Sequence, residues 1–236
     1  MRPTLYLIPA PLGETEYNSI FPLYNLGVIN QIDYFIVENA RTARRFLSKL
    51  GIDKKLMELH FFELNKHTHS EQLDGFLTPL RQGQNMGLLS EAGVPAVADP
   101  GAEIVHRVHL LGLEVVPLVG PSSILLALMA SGLNGQSFAF NGYLPVEKDV
   151  RRQKINFYEK RSRQENQTQL FIETPYRNSQ LFEDVLHNLS AQTRLCVAVD
   201  LTLNSQSIQT CTIAEWRQKP KPNLQKRPAI FAFLAH

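Results

Sequence analysis

Cysteine is scarce in this chain: of 236 residues only Cys196 and Cys211 are cysteines, and neither sits in a CxxC or Cys/His pattern. That argues against a disulfide framework and a zinc site, and points to a reducing compartment. Long apolar runs are also missing. The longest, Ile124 to Ala130 among them, fall far short of the ~18–20 residues that cross a bilayer, and prolines interrupt the first residues where a signal peptide needs a continuous apolar stretch. The expectation is a cytoplasmic protein with no membrane partner. No GxGxxG or GxxxxGK[ST] follows a strand, so neither common phosphate-binding fingerprint is present. HExxH and GxSxG are absent too. His60, His67 and His69 come nearest to a metal cluster, but polar loop residues separate them and no fourth ligand is evident, so no metal is expected.

What is present is an ordinary globular composition, 44% hydrophobic and 19% charged, with 13 Gly and 14 Pro. The net charge of +2 is uninformative, but its distribution is not. Seven basic residues against two acids lie between Lys148 and Arg163, and five basic residues with no acid lie between Arg217 and Arg227. The remainder carries 12 basic and 20 acidic residues. Such segregation suits a phosphate-rich partner, and equally the solvated face of an amphipathic helix followed by a solubilising loop.

Strand-like and helix-like runs alternate from the start, the pattern of an α/β protein. Strands are expected at Thr4 to Pro9, Tyr34 to Val37, Leu56 to Phe62, Met86 to Leu89 and Val115 to Leu118, with helices between them. Ser70 is the expected N-cap of one helix, carrying Leu73, Phe76, Leu77 and Leu80 inward. Gly120-Pro121-Ser122 marks a break, giving an N-terminal domain over 1–119 and a C-terminal α/β domain over 120–236. The helix Ser123 to Ser131, almost wholly small or apolar, is expected to be buried. Further strands are expected at Phe138 to Asn141, Thr168 to Ile172, Leu195 to Asp200, Ser207 to Thr212 and Ala229 to Leu234, the closely spaced last ones implying mixed sheets.

Four turn-rich segments each follow an expected strand: Pro9 to Gly13, Ser90 to Gly101, Val119 to Ser123, and Glu173 to Arg177. Ligands in α/β proteins collect outside the carboxyl ends of strands, where glycine admits close approach and proline stiffens the loop. Taken singly, each is equally well a tight turn.

Within those segments lies a resemblance to a known family. Ser90-Glu91-Ala92-Gly93-Val94-Pro95 through Asp99-Pro100-Gly101 is similar to SDAGTPxxxDPG. Val37-Glu38-Asn39-Ala40-Arg41-Thr42-Ala43-Arg44 is similar to AEDTRxTR, Val119 to Ser123 to PGPSA, Asn141 to Pro145 to EGFLP, and Ile172 to Arg177 to YESPHR. These are motifs of the tetrapyrrole methylase superfamily of S-adenosylmethionine-dependent methyltransferases, and in particular of the branch that methylates a cytidine ribose 2′-hydroxyl in small-subunit ribosomal RNA. The resemblance runs from Thr4 to about Thr202. It implies two α/β domains with the methyl donor in the cleft between them, a homodimer, and RNA or a ribosomal particle as partner.

Carried over residue by residue, the resemblance implies a donor site of Pro9, Ala10, Glu91, Gly93, Val94, Ala98, Ser122, Ser123 and Leu201. Glu38 is the candidate general base, with helix capping or pairing to Arg41 as its bland alternative; Arg41, Arg44 and Arg177 are the candidate RNA contacts, each equally a surface residue. The chain departs from the branch at Asn39 and Ala40, at Leu12 and Glu14 in place of PIGN, and at Val199 to Leu203 in place of RELTK. Those departures lie where an acceptor is gripped. Ending at His236, the sequence is also expected to lack the small C-terminal helical domain of some members. Two other functions stay open on the same residues: methylation of a small tetrapyrrole-like molecule, and non-catalytic binding of S-adenosylmethionine.

Overall fold

Apolar residues that alternate along strands and recur at helical spacing separate the chain into two units that meet at Ser122 and Ser123; the computed structural model describes residues 2–65 and 68–236. The N-terminal unit runs β1 (Thr4–Ile8), α1 (Leu23–Ile29), β2 (Tyr34–Val37), α2 (Ala40–Leu50), β3 (His60–Glu63), α3 (Ser70–Phe76), α4 (Thr78–Arg81), β4 (Met86–Leu89), α5 (Ala102–Leu110) and β5 (Glu114–Pro117). Its strands form one sheet in the order β3-β2-β4-β1-β5, and every pairing is parallel. The mixed character expected of both sheets is therefore confined to the second.

A parallel sheet requires cover on both faces, and the period-two alternation of side chains supplies it. Phe35, Val37 and Leu89 pack with Val28, Ile29, Ala43, Phe46 and Leu47 of α1 and α2. Ile36, Met86 and Leu88 face the other way, onto Leu73, Leu77, Leu80, Ile104 and Val108 of α3 to α5.

Three local expectations are corrected. His69, rather than Ser70, precedes the helix, and its N–H donates to the Gln72 side chain at 3.0 Å; Ser70 is helical and its Oγ instead accepts from Arg107. The helix expected to carry Leu73 through Leu80 is interrupted at Leu77, because Pro79 lacks the N–H that a continuous helix needs. The strand expected from Leu56 begins only at His60, after a short 3₁₀ turn over Leu56–Glu58.

The C-terminal unit runs α6 (Ser123–Ser131), β6 (Phe138–Tyr143), α7 (Lys148–Glu165), β7 (Thr168–Ile172), α8 (Asn178–Asn188), β8 (Arg194–Val199), β9 (Ser207–Thr212), α9 (Ile213–Trp216) and β10 (Ala229–Leu234). Its sheet order is β6-β7-β10-β8-β9, with β6 and β7 parallel and the other pairs antiparallel. The last strand of the chain thus lies near the middle of the sheet, and every residue of it is buried. Phe171, Phe231 and Phe233 pack on Ile155, Leu181, Phe182 and Trp216, whose indole N–H donates to the Leu195 carbonyl at 2.9 Å. Helix α6 lies against β8, β9 and β10. It is buried on one side only, since Leu125 and Met129 are exposed.

Candidate active site

Because every pairing in the N-terminal sheet is parallel, the loops after β1, β2, β4 and β5 all leave from one edge, the place where α/β proteins bind ligands. The loops after β1 and β4 are tied directly: Ala10 and Gly93 exchange backbone bonds of 2.8 and 3.0 Å. Gly93 has φ +76°, and a Cβ built on it would lie 3.4 Å from Leu12 Cδ2 and 3.6 Å from the Pro121 carbonyl oxygen. A side chain at 93 would therefore be strained and would enter the space on which the three loops converge. Gly120 is closer still to its neighbour, for a Cβ there would lie 2.2 Å from Pro9 Cγ. Pro9, Ala10 and Gly93 are buried, Val94 and Ser122 half-buried, and Glu91 and Ala98 exposed. Ala96 and Ala98 are held at φ 65° and 58°, left-handed values that cost a residue with a Cβ about 1 kcal/mol or more. The loop closes where Asp99 Oδ1 accepts from the Gly101 N–H at 2.9 Å.

Glu38 follows β2 at this edge. Burial raises its pKa first, and a hydrogen bond to Asp99 together with the charges of Asp99 and Glu91 raises it further, to about 7; a backbone N–H of Glu91 opposes the shift. Glu91 is itself raised by burial and by Asp99, against a hydrogen bond from Thr42. Crowding carboxyl groups disfavours full ionisation, so the cluster retains proton affinity near neutrality. A carboxyl group poised there can accept a proton from a hydroxyl. Asp99 and Thr42 are the partners that sequence reasoning missed. Asp99 stood in plain view inside the Asp-Pro-Gly motif, but nothing local pairs position 99 with position 38.

Asn39 caps α2, its Oδ1 accepting from the N–H groups of Arg41 and Thr42 at 2.9 and 3.1 Å. Asn and Asp serve equally well at such a cap, so Asn39 keeps the helix start that an acid would provide. The Ala40 N–H is taken by Glu63 at 2.9 Å. Arg41, Arg44 and Arg45 are exposed along this helix; among the described residues none makes an ion pair, though the Arg44 guanidinium lies 4.6 Å over the Phe61 ring.

The remaining candidates belong to the C-terminal unit. Ser123 opens α6, and Leu201 is buried in a turn between Asp200 and Thr202, both at positive φ. Asp200 accepts from Arg227 at 2.8 Å and from Ser205 at 2.6 Å. Arg177 donates to the buried Glu173 carboxylate at 2.6 and 3.1 Å, so its guanidinium has an intramolecular partner. Of the three histidines, His60 stacks on Tyr34 with ring centroids 5.0 Å apart, and His67 lies outside the described residues. Among the described residues no group of three or more His, Cys, Asp or Glu side chains is placed to hold a metal ion.

Residues 4–216 match the family described as Tetrapyrrole (Corrin/Porphyrin) Methylases. The chain belongs to the tetrapyrrole methylase family. Among curated relatives it is 32% identical to Ribosomal RNA small subunit methyltransferase I of Vibrio cholerae, over 90% of this chain and 70% of that protein. Its identity to the protein of the same name from Neisseria meningitidis serogroup A is also 32%, over 90% of this chain and 68% of that protein. Among solved structures the methyltransferase CobJ superposes with a TM-score of 0.63 at 13% identity, covering 98% of this chain and 93% of that one, a likeness of fold.

As a tetrapyrrole methylase the chain is an S-adenosylmethionine-dependent methyltransferase. The loops fit such a donor: small side chains, fixed backbone polar groups and a cradle that a Cβ at Gly93 would fill suit an adenosine and a sulfonium, neither of which carries a phosphate.

Proposed function

We propose that this tetrapyrrole methylase acts in the cytoplasm on RNA, methylating a ribose 2′-hydroxyl of ribosomal RNA. Glu38 carries the proposal. An alcohol is a poor nucleophile unless its proton leaves as the new bond forms, and Glu38 offers a carboxyl group with a pKa of about 7 at the strand edge where the donor loops converge. The relatives named for small-subunit ribosomal RNA, and the three arginines of α2 that make no ion pair among the described residues, favour RNA as the acceptor.

Pro9, Ala10, Gly93, Val94, Ala98 and Ser122 would hold the donor, with Glu91 beside them; Ser123 and Leu201, named by the same resemblance, belong to the C-terminal unit. When bound, the donor supplies an electrophilic methyl group on sulfur. Glu38 accepts the hydroxyl proton as the oxygen–carbon bond forms and the sulfur–carbon bond breaks, the electron pair staying on the departing S-adenosylhomocysteine. Arg41 and Arg44 hold backbone phosphates so that the hydroxyl stays aligned, the main contribution a protein makes to an in-line displacement. Arg177, bonded to Glu173, positions the loop after β7 and contacts the RNA from there. The homodimer belongs to the same proposal, with exposed Leu125 and Met129, one turn apart on α6, as its apolar contact.

The test is transfer of label from methyl-tritiated S-adenosylmethionine to ribosomal RNA, offered free and in small-subunit particles. Label at a 2′-O-methyl nucleotide is expected. Donor binding without transfer to any RNA would overturn the RNA reading and leave methylation of a small molecule.

A further inference from the structure

Between the loop after β1 and one flank of α2 lies a cavity of about 220 Å³, which borders the donor loops at Ala10 and Glu91. Its floor is apolar, made by Val37 and Leu89 at the ends of β2 and β4 and by Ala43 and Phe46 of α2. Tyr17 forms a wall, its ring edge-on to Phe46 with centroids 5.7 Å apart. Arg45 and Lys49, one helical turn apart, stand on the rim with the acids Glu14 and Glu91. Lys49 reaches Glu14 at 3.1 Å, but that pair is 48% and 93% exposed and therefore weak, and Arg45 has no ion-pair partner among the described residues.

An apolar floor under two cations suits a planar ring that carries an anion. The volume lies below the ~300–1,000 Å³ of pockets for drug-sized ligands, so it admits a single ring system and excludes a tetrapyrrole macrocycle. Thr42 and Glu91, the hydrogen-bonded pair next to Glu38, line the same cavity. We infer that this cavity receives the base of the acceptor nucleotide, with the adjoining phosphate on Arg45 and Lys49 and the ribose directed to the carboxyl cluster. The inference rests on the RNA reading above. It adds that the acceptor is unpaired in RNA, because a stacked and paired base cannot enter a pocket.

The experiment is a titration of the full chain, labelled with ¹⁵N, with each nucleoside 5′-monophosphate and separately with inorganic phosphate, repeated on Arg45→Gln. At least one nucleotide is expected to shift the amides of Tyr17, Ala43 and Phe46 and to bind about tenfold or more tightly than inorganic phosphate. Arg45→Gln, at an exposed site, should weaken that nucleotide about tenfold, the scale of a lost charge-assisted hydrogen bond, while donor affinity stays unchanged. Equal binding of nucleotide and inorganic phosphate, or indifference to Arg45→Gln, would overturn the pocket. Methylation of RNA without a nucleotide in the cavity sinks this inference and spares the RNA reading; a nucleotide in the cavity with no RNA ever methylated overturns the RNA reading and, with it, the nucleotide's role as acceptor.

Discussion

Helices α2 and α7 both carry several arginines, yet they use them differently. On α7, Arg151 is buried and donates to Asp184 at 2.7 Å and to the carbonyls of Pro145 and Val146. Arg152 pairs with Asp149, Arg161 with Glu165, and Arg163 donates to the His236 carbonyl. The second basic stretch behaves likewise, since Arg217 caps the end of α8 at the Leu186 carbonyl and Arg227 holds Asp200. On α2 the guanidinium groups have no anionic partner among the described residues. The helix with fewer basic residues, four against seven, thus has the more available arginines, and it lies beside the carboxyl cluster and the cavity. Charge density along a chain does not measure charge available to a partner.

The largest effect expected from breaking this contrast is on the α2 side. Glu38→Gln should lower kcat about 10²–10⁴-fold, the usual contribution of a general base, with donor affinity unchanged by calorimetry. On the α7 side, Arg151→Ala should cost about 3–5 kcal/mol in urea unfolding, because Asp184 would be left buried without its partner. Its folded fraction should bind RNA as the parent does. Smaller still is a shift in pH dependence. Since Asp99 raises the Glu38 pKa, activity should rise with pH through about 7, and Asp99→Asn should move that rise to lower pH. The sign for stability is opposite: a raised carboxyl pKa favours the fold below the unfolded value and loses that contribution as pH climbs through about 7. Glu38→Gln should therefore lose less stability than the parent between pH 5 and 8, read from thermal melts.

Much of this was legible in the sequence. Strands β2, β4, β7, β9 and β10 fall where their apolar runs lie, because a short apolar segment between turns has few other folds available. The turn-rich character of the loop from Ser90 to Gly101 was legible because glycine, proline and aspartate at fixed spacing report backbone shape. What stayed hidden is the product of distant contacts. Thr42, Arg45, Phe46 and Lys49 do share a helical stripe, a signal present in the sequence, but the loop it faces is set by tertiary packing. The basic run from Lys148 left two readings open for the complementary reason, since Asp184 and the carbonyls that bind Arg151 lie on other segments.

Binding of single-stranded RNA across a salt series tests the contrast most directly, comparing Arg41→Ala/Arg44→Ala/Arg45→Ala with Arg152→Ala/Arg161→Ala/Arg163→Ala, three α7 arginines that already have partners within the chain. With about 0.7 of log–log slope per phosphate neutralised on a single strand, the α2 triple should lower the slope by about 2 and weaken binding, while the α7 triple leaves both near the parent. An α7 triple that loses the slope while the α2 triple keeps it would contradict the account.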